Sequence, residues 1–161
     1  MMNKGVSPFL ATSLIILFSI MTVGIVTTAV KPVLDRTKDT ATTNEGFHNL
    51  ELIDDTILEV ASEEKGSRRT ISIKMSDGNL YFDPWLEYLN YTYKLNSNLA
   101  ISGQRGRVNA TISTDVLTLF IKYDRIDLSK NIHFPKGSNQ IIITNEGINS
   151  TVNKPMINIT S

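Results

Sequence analysis

The side chains that could perform chemistry are few and widely separated. The two histidines, His48 and His133, stand far apart in sequence. Neither has a nucleophile or acid partner at a spacing that proton transfer would use, so both read as structural. Glu51, Asp54, Asp55 and Glu59 form an acidic cluster. They lack the glycine and spaced oxygens of a calcium loop and instead suit the solvated face of a helix. Glu63, Glu64, Lys65, Arg68 and Arg69 read as surface charges around a turn. Gly103, Gln104, Arg105, Gly106 and Arg107 combine two glycines with two arginines but lack the strand-to-helix context of a phosphate loop, so they read as a hairpin loop. Cysteine is absent, which excludes disulfides and thiolate metal sites. The residues thus point to no catalytic set, no cofactor and no metal, and the chain does not read as an enzyme.

One chemistry remains, and it is done to the chain rather than by it. Asn90, Asn109, Asn149 and Asn158 each begin an N-x-Thr triplet, the acceptor signal for N-glycosylation. A chain this rich in Asn, Ser and Thr carries some such triplets by chance, so they have meaning only if the domain is exported. Asn149, in the presumed loop at residues 145–154, is the first choice among them.

These residues must be positioned by elements of two kinds. Residues 9–30, FLATSLIILFSIMTVGIVTTAV, hold no charge, with Lys4 before them and Lys31 after. As a helix they reach about 33 Å, enough to cross a hydrocarbon core of about 30 Å. Ser7 suits the cap and Pro8 the first turn. The run is too long for the apolar region of a cleaved secretory signal, although Thr27, Thr28 and Ala29 have the small size such a site needs. It reads as a segment retained in the finished protein, in contact with membrane lipid. Ala11, Ser13, Ser19, Gly24 and Ala29 are the small residues along it, without a GxxxG pair. Lys plus Arg and Asp plus Glu both number 16, so no net field draws the chain to nucleic acid.

Lys4, Gly5, Val6, Ser7 and Pro8, running straight into this uncharged segment, resemble the class III signal of archaeal type IV pilin-like proteins. The resemblance covers about the first 25 residues and implies several things. A prepilin peptidase would cut between Gly5 and Val6 on the cytoplasmic side. The apolar helix would survive on the mature chain, stored in lipid and able to pack against other copies or other pilin-like subunits. Leu10 occupies the fifth mature position, where bacterial type IV pilins usually carry Glu, so the likeness is to the archaeal type. The alternative is a membrane-anchored external β domain that binds a surface partner without polymerising. Lys31, Arg36 and Lys38 outnumber Lys4, and by the positive-inside rule alone they would hold the following domain in the cytoplasm. The five-residue leader and the triplets argue for the external side.

After Lys31 and Pro32, where a break in the helix is expected, residues 33–64 read as a second, amphipathic helix. Leu50, Ile53, Ile57, Val60 and Ala61 share a face, with Phe47 one turn earlier. Residues 37–46 are polar and form either an exposed helical stretch or a loosened joint. Gly66 suits the end of the helix. From residue 68 the period changes to two. Strands are expected at 69–75, 80–82, 85–95, 99–102, 107–113, 116–123, 139–144 and 156–160, with a hairpin turn at 76–79. The fold class is α+β: a long apolar helix continuing into an amphipathic one, then an antiparallel sheet or sandwich. The expected organisation is a leader at 1–5, a transmembrane or assembly helix at 6–30, and one extracytoplasmic domain at 31–161.

Overall fold

In the computed structural model, which describes residues 8–101 and 103–161, one helix dominates. α1 (Pro8–Ser62) is 55 residues long, about 80 Å from end to end. The expected break at Lys31 and Pro32 is absent, because α1 runs through Pro32 without interruption. A proline inside a helix loses a single backbone bond, at a cost of about 3 kcal/mol. Intact turns on both sides carry the helix across that loss.

The two halves of α1 live in different surroundings. Residues 8–34 are exposed throughout, and burial begins at Asp39. From there Thr42, Thr43, Gly46, Phe47, Leu50, Ile53, Ile57 and Val60 are buried. Residues 37–46 are therefore not a loosened joint but continuous helix, exposed at Thr37, Lys38, Thr40, Ala41 and Asn44 and buried at Asp39, Thr42, Thr43 and Gly46. They continue the helix and bring its first enclosed turns into the domain.

What encloses them is one eight-stranded sheet, in the order β3-β4-β5-β2-β1-β7-β8-β6. Its strands are β1 (Arg68–Asp83), β2 (Tyr88–Lys94), β3 (Gly103–Arg105), β4 (Val108–Ser113), β5 (Val116–Lys122), β6 (Asp127–Leu128), β7 (Ile132–Asn149) and β8 (Lys154–Thr160). All neighbours are antiparallel except β6 and β8. Alternate residues of β2 (Leu89, Tyr91, Tyr93) and β5 (Leu117, Leu119, Ile121) are buried, as the two-residue strand period requires. α1 touches β4 near one edge, β8 near the other, and β5, β2, β1 and β7 between them. The sheet is thus curled round the helix rather than laid flat against it. Lys154, at the start of β8, is 2.6 Å from Glu87 in the β1–β2 turn and ties two separated parts of the curl together.

The expected hairpin at residues 76–79 does not form. β1 continues through it, and the register on β7 passes from Met75 opposite Gly137 to Asn79 opposite Pro135. β1 therefore advances four positions while β7 moves two, a bulge that bends the strand and increases its twist. Gly78 makes this bend possible: its φ is +85°, and a Cβ there would lie 2.7 Å from the Thr92 carbonyl oxygen. The real hairpin turn follows Asp83, whose Oδ1 accepts N–H bonds from Trp85 at 2.9 Å and Leu86 at 3.2 Å. Leu99 and Ile101 pack on the core from outside any strand. β7 is far longer than the strand expected at 139–144, and β6 has no counterpart among the expected strands.

Two contacts fix the helix in its sleeve. At its C-terminus, Asn145 of β7 donates from Nδ2 to the carbonyls of Val60 and Glu63, each at 3.0 Å, satisfying acceptors that a helix end leaves free. Near its middle, Gly46 meets Tyr91 so closely that a Cβ would lie 2.6 Å from the ring. The sequence shows Gly46 only as a weak helix former; the structure shows that the position has no room for a side chain. Gly46→Val should lower the stability of the detergent-solubilised chain by about 1–3 kcal/mol through overpacking, read as a fall in denaturant midpoint. Gly24→Val, where nothing lies within 4 Å, is the comparison and should leave that midpoint in place.

Candidate functional site

The exposed half of α1 is the most unusual surface of the molecule. Its most apolar window has a mean hydropathy of 2.4 and no buried residue, and the helix is long and apolar enough to cross a membrane. Phe9, Leu10, Leu14, Ile15, Ile16, Leu17, Phe18 and Ile20 all project outward. A contiguous apolar surface of this length marks a segment that needs a partner.

Five of its six hydroxyl groups, those other than Ser13, do not spoil that surface. Thr12, Ser19, Thr22, Thr27 and Thr28 each donate to the carbonyl four residues earlier, at 2.8–3.0 Å. Turned back on the helix in this way, a hydroxyl presents no unmet donor to an apolar neighbour.

Where this segment meets the domain stands Asp39, which is 0% exposed. Its carboxylate accepts from the Tyr93 hydroxyl at 2.6 Å, the Asn96 N–H at 2.9 Å, the Ser97 N–H at 2.7 Å and the Ser97 hydroxyl at 2.7 Å. Burial alone pushes this carboxyl up, but the bonds from Tyr93, Ser97 and Asn96 outweigh it and hold its pKa below 3.8. The Tyr93 hydroxyl, buried and tied to that anion, is pushed up to about 12. In the sequence, Asp39 appears only as a charge flanking the apolar run. Nothing local distinguishes it, because its partners lie more than fifty residues away.

The acidic cluster divides. Asp55 and Glu59 are exposed, as expected of a solvated face, but Asp54 is buried. Arg107 holds Asp54 with Nη1 at 2.9 Å and 3.2 Å from its two oxygens, and the same guanidinium lies 5.4 Å from the centre of the Tyr123 ring. Burial raises the Asp54 pKa, with Tyr123 and Arg107 opposing the rise. Glu51 pairs with Arg105 at 3.1 Å. The expected loop at 103–107 is instead strand β3 followed by a tight turn at Gly106 and Arg107 into β4, and its arginines clamp the sheet edge to the helix.

His48 is exposed on α1, while His133 stacks on Tyr81 at 4.6 Å on β7. Among the described residues, no three His, Asp or Glu side chains converge as metal ligands. Lys4, Gly5 and Val6 lie outside the described residues.

The four triplet asparagines fall into two settings. Asn90 on β2 and Asn109 on β4 both oppose Phe120, from either side, on the strand face turned away from the core. Asn149 is the last residue of β7 rather than mid-loop; its Nδ2 donates to Asp127 at 2.6 Å and its Oδ1 accepts the Thr151 N–H at 3.0 Å. Asn158 donates to Glu146, and its own oxygen is buried without a partner among the described residues.

Removing the Asp39 acceptor leaves the Tyr93 hydroxyl and two backbone N–H groups unmet, so Asp39→Ala should cost about 2–5 kcal/mol. Because the folded pKa lies below the unfolded value near 3.8, the carboxylate's contribution is complete above that value and disappears as pH falls through the folded pKa. Asp39→Asn should accordingly flatten the acid limb of the stability profile, measured by denaturant unfolding from neutral pH downward. No protein-family model, curated protein or solved structure matches this chain.

Proposed function

We propose that the chain is a pilin-like structural subunit, processed after Gly5, held in the membrane by the exposed half of α1, and assembled through that same segment with copies or other pilin-like chains. One observation carries the reading: a folded domain encloses only the second half of an unbroken helix and leaves residues 8–34 wholly uncovered. A helix that only anchored could end or flex at the membrane surface. This one transmits the position of the apolar segment rigidly into the domain core, which is what a subunit stacked along a common axis requires. The internally bonded hydroxyls suit both lipid and a neighbouring helix.

A second reading draws on Trp85, which is 89% exposed at the tip of the β1–β2 turn beside the exposed Leu86. Exposed aromatic anchors serve recognition, and an anchored domain that binds a surface partner without polymerising would use such a tip. Both readings place the domain outside the cell and the leader inside.

Mass spectrometry of the native N-terminus should find a mature chain beginning at Val6. A product that keeps Met1, or begins near Val30, contradicts the processing. Gly5→Val should block the cut by placing a branched side chain at the scissile position, and immunoblotting would then show the unprocessed, heavier band. Ile16→Arg sets a charge near the bilayer centre at a cost of about 2.5–3.5 kcal/mol. Membrane fractions should lose the protein; undiminished retention would mean the segment is covered by protein rather than lipid.

A further inference from the structure

Two of the four N-x-Thr triplets lie in the same register on the outer face of the sheet. Asn90 on β2 and Asn109 on β4 both oppose Phe120 of β5, and their threonines, Thr92 and Thr111, both oppose Thr118. Tyr91, Ala110 and Leu119, which stand between these positions along each strand, are buried in the core, so strand alternation turns the asparagines, the threonines and Phe120 outward. On its other side Asn90 opposes Tyr81 of β1. Amide and aromatic side chains thus alternate across four strands, in the order Asn109, Phe120, Asn90, Tyr81, with the row of hydroxyls beside them. Neither row holds a charged residue. Tyr88, two positions before Asn90, lies 5.7 Å from Phe120 between ring centres.

The acceptor amides differ in what they already hold. Among the described residues Asn90 makes no side-chain bond, and Asn109 only a long one, 3.5 Å from Nδ2 to the Arg107 carbonyl. Asn149 and Asn158 instead donate to the carboxylates of Asp127 and Glu146 in part-buried bonds. A sugar on either of those must take one amide hydrogen while a carboxylate holds the other. A sugar on Asn90 or Asn109 meets an aromatic ring.

We infer that Asn90 and Asn109 are the N-glycosylated pair of this chain, and that their first sugars lie on Phe120, which stands between them. The inference rests on the reading above that places the domain outside the cell. Acceptors on β2 and β4 are two strand spacings apart, about 9.5 Å, so one sugar ring can settle on each side of Phe120. The axial C–H bonds of a pyranose carry partial positive charge and the face of an aromatic ring partial negative charge, which draws the two together. The hydroxyl row offers the sugars hydrogen-bond partners along the strands. A sheet face covered in this way is closed to a neighbouring copy, so copies meet the domain elsewhere.

Intact glycopeptides of the full chain, purified from the membranes of the cells that make it natively, are read by mass spectrometry. Asn90 and Asn109 should both carry sugar, and Thr92→Ala and Thr111→Ala, which destroy one triplet each, should each increase gel mobility by one step. Asn90→Gln and Asn109→Gln replace a threonine variant that does not accumulate. The same sequence made in a host without N-glycosylation is the bare reference. In denaturant unfolding, the modified chain should show a folded-to-unfolded ratio about two- to ten-fold above the bare one, the size of an aromatic contact. Phe120→Ala should abolish that difference, whereas a purely structural Phe120 would lower both chains alike and preserve it. Sugar confined to Asn149 or Asn158, or a difference that Phe120→Ala leaves intact, overturns the inference. Sugar missing from Asn90 or Asn109, on a chain that a membrane-impermeant amine reagent labels in whole cells, also overturns it and leaves the external reading in place. A chain labelled only after lysis overturns the external reading itself.

Discussion

The structure depends on the enclosure of the second half of α1 by a curled sheet. Leu50, Ile53, Ile57 and Val60 are completely buried among β-strand residues such as Leu89, Leu117, Ile141 and Ile157. Each such side chain withdrawn from water contributes about 1.5–3 kcal/mol. Because the helix backbone is continuous, stability gained in the domain also fixes the direction of the apolar half. The sheet can reach round the helix because β1 bulges at residues 76–78, Gly46 yields to the Tyr91 ring, and Lys154 ties β8 back to Glu87. Without the bulge, two extended strands would carry the sheet away from the helix.

The transition between the covered and uncovered halves occurs over a single turn. Asp39 is a charge buried at the mouth of the domain, a costly position unless fully hydrogen-bonded. Four donors from the β2 end and the residues after it meet that requirement. They bind the loop after β2 to the helix at the point where the helix leaves the core. Arg107 and Asp54 make a second polar tie farther along, and Asn145 a third at the helix C-terminus. Polar groups thus set the register of helix and sheet along their whole contact, while apolar groups supply the driving force.

Much of this is visible in residue patterns. The apolar run, the helical period of Leu50, Ile53 and Ile57, and the alternation in Tyr91, Tyr93 and Leu95 are local signals, and the α+β architecture follows from them. What local pattern does not contain is partnership over long separations. Asp39 and Asp54 look like surface carboxylates because their partners, Ser97 and Arg107, lie more than fifty residues on. Gly78 beside Asp77 has the composition of a tight turn, but pairing with β7 on both sides keeps β1 extended. Pro32 carries a strong local preference for a break, and long stretches of helix on both sides override it. β6 is two residues long and exists only because β8 is there to pair with it.

The apolar half of α1 has no partner among the described residues, and the proposed function assigns it lipid or other copies. Sedimentation velocity of the intact native protein, first in detergent and then after its removal, tests that assignment most directly. The account predicts a discrete particle in detergent that passes into large assemblies, or into added vesicles, once detergent is gone. A stable monomer in plain buffer, with residues 8–34 still present, would contradict it.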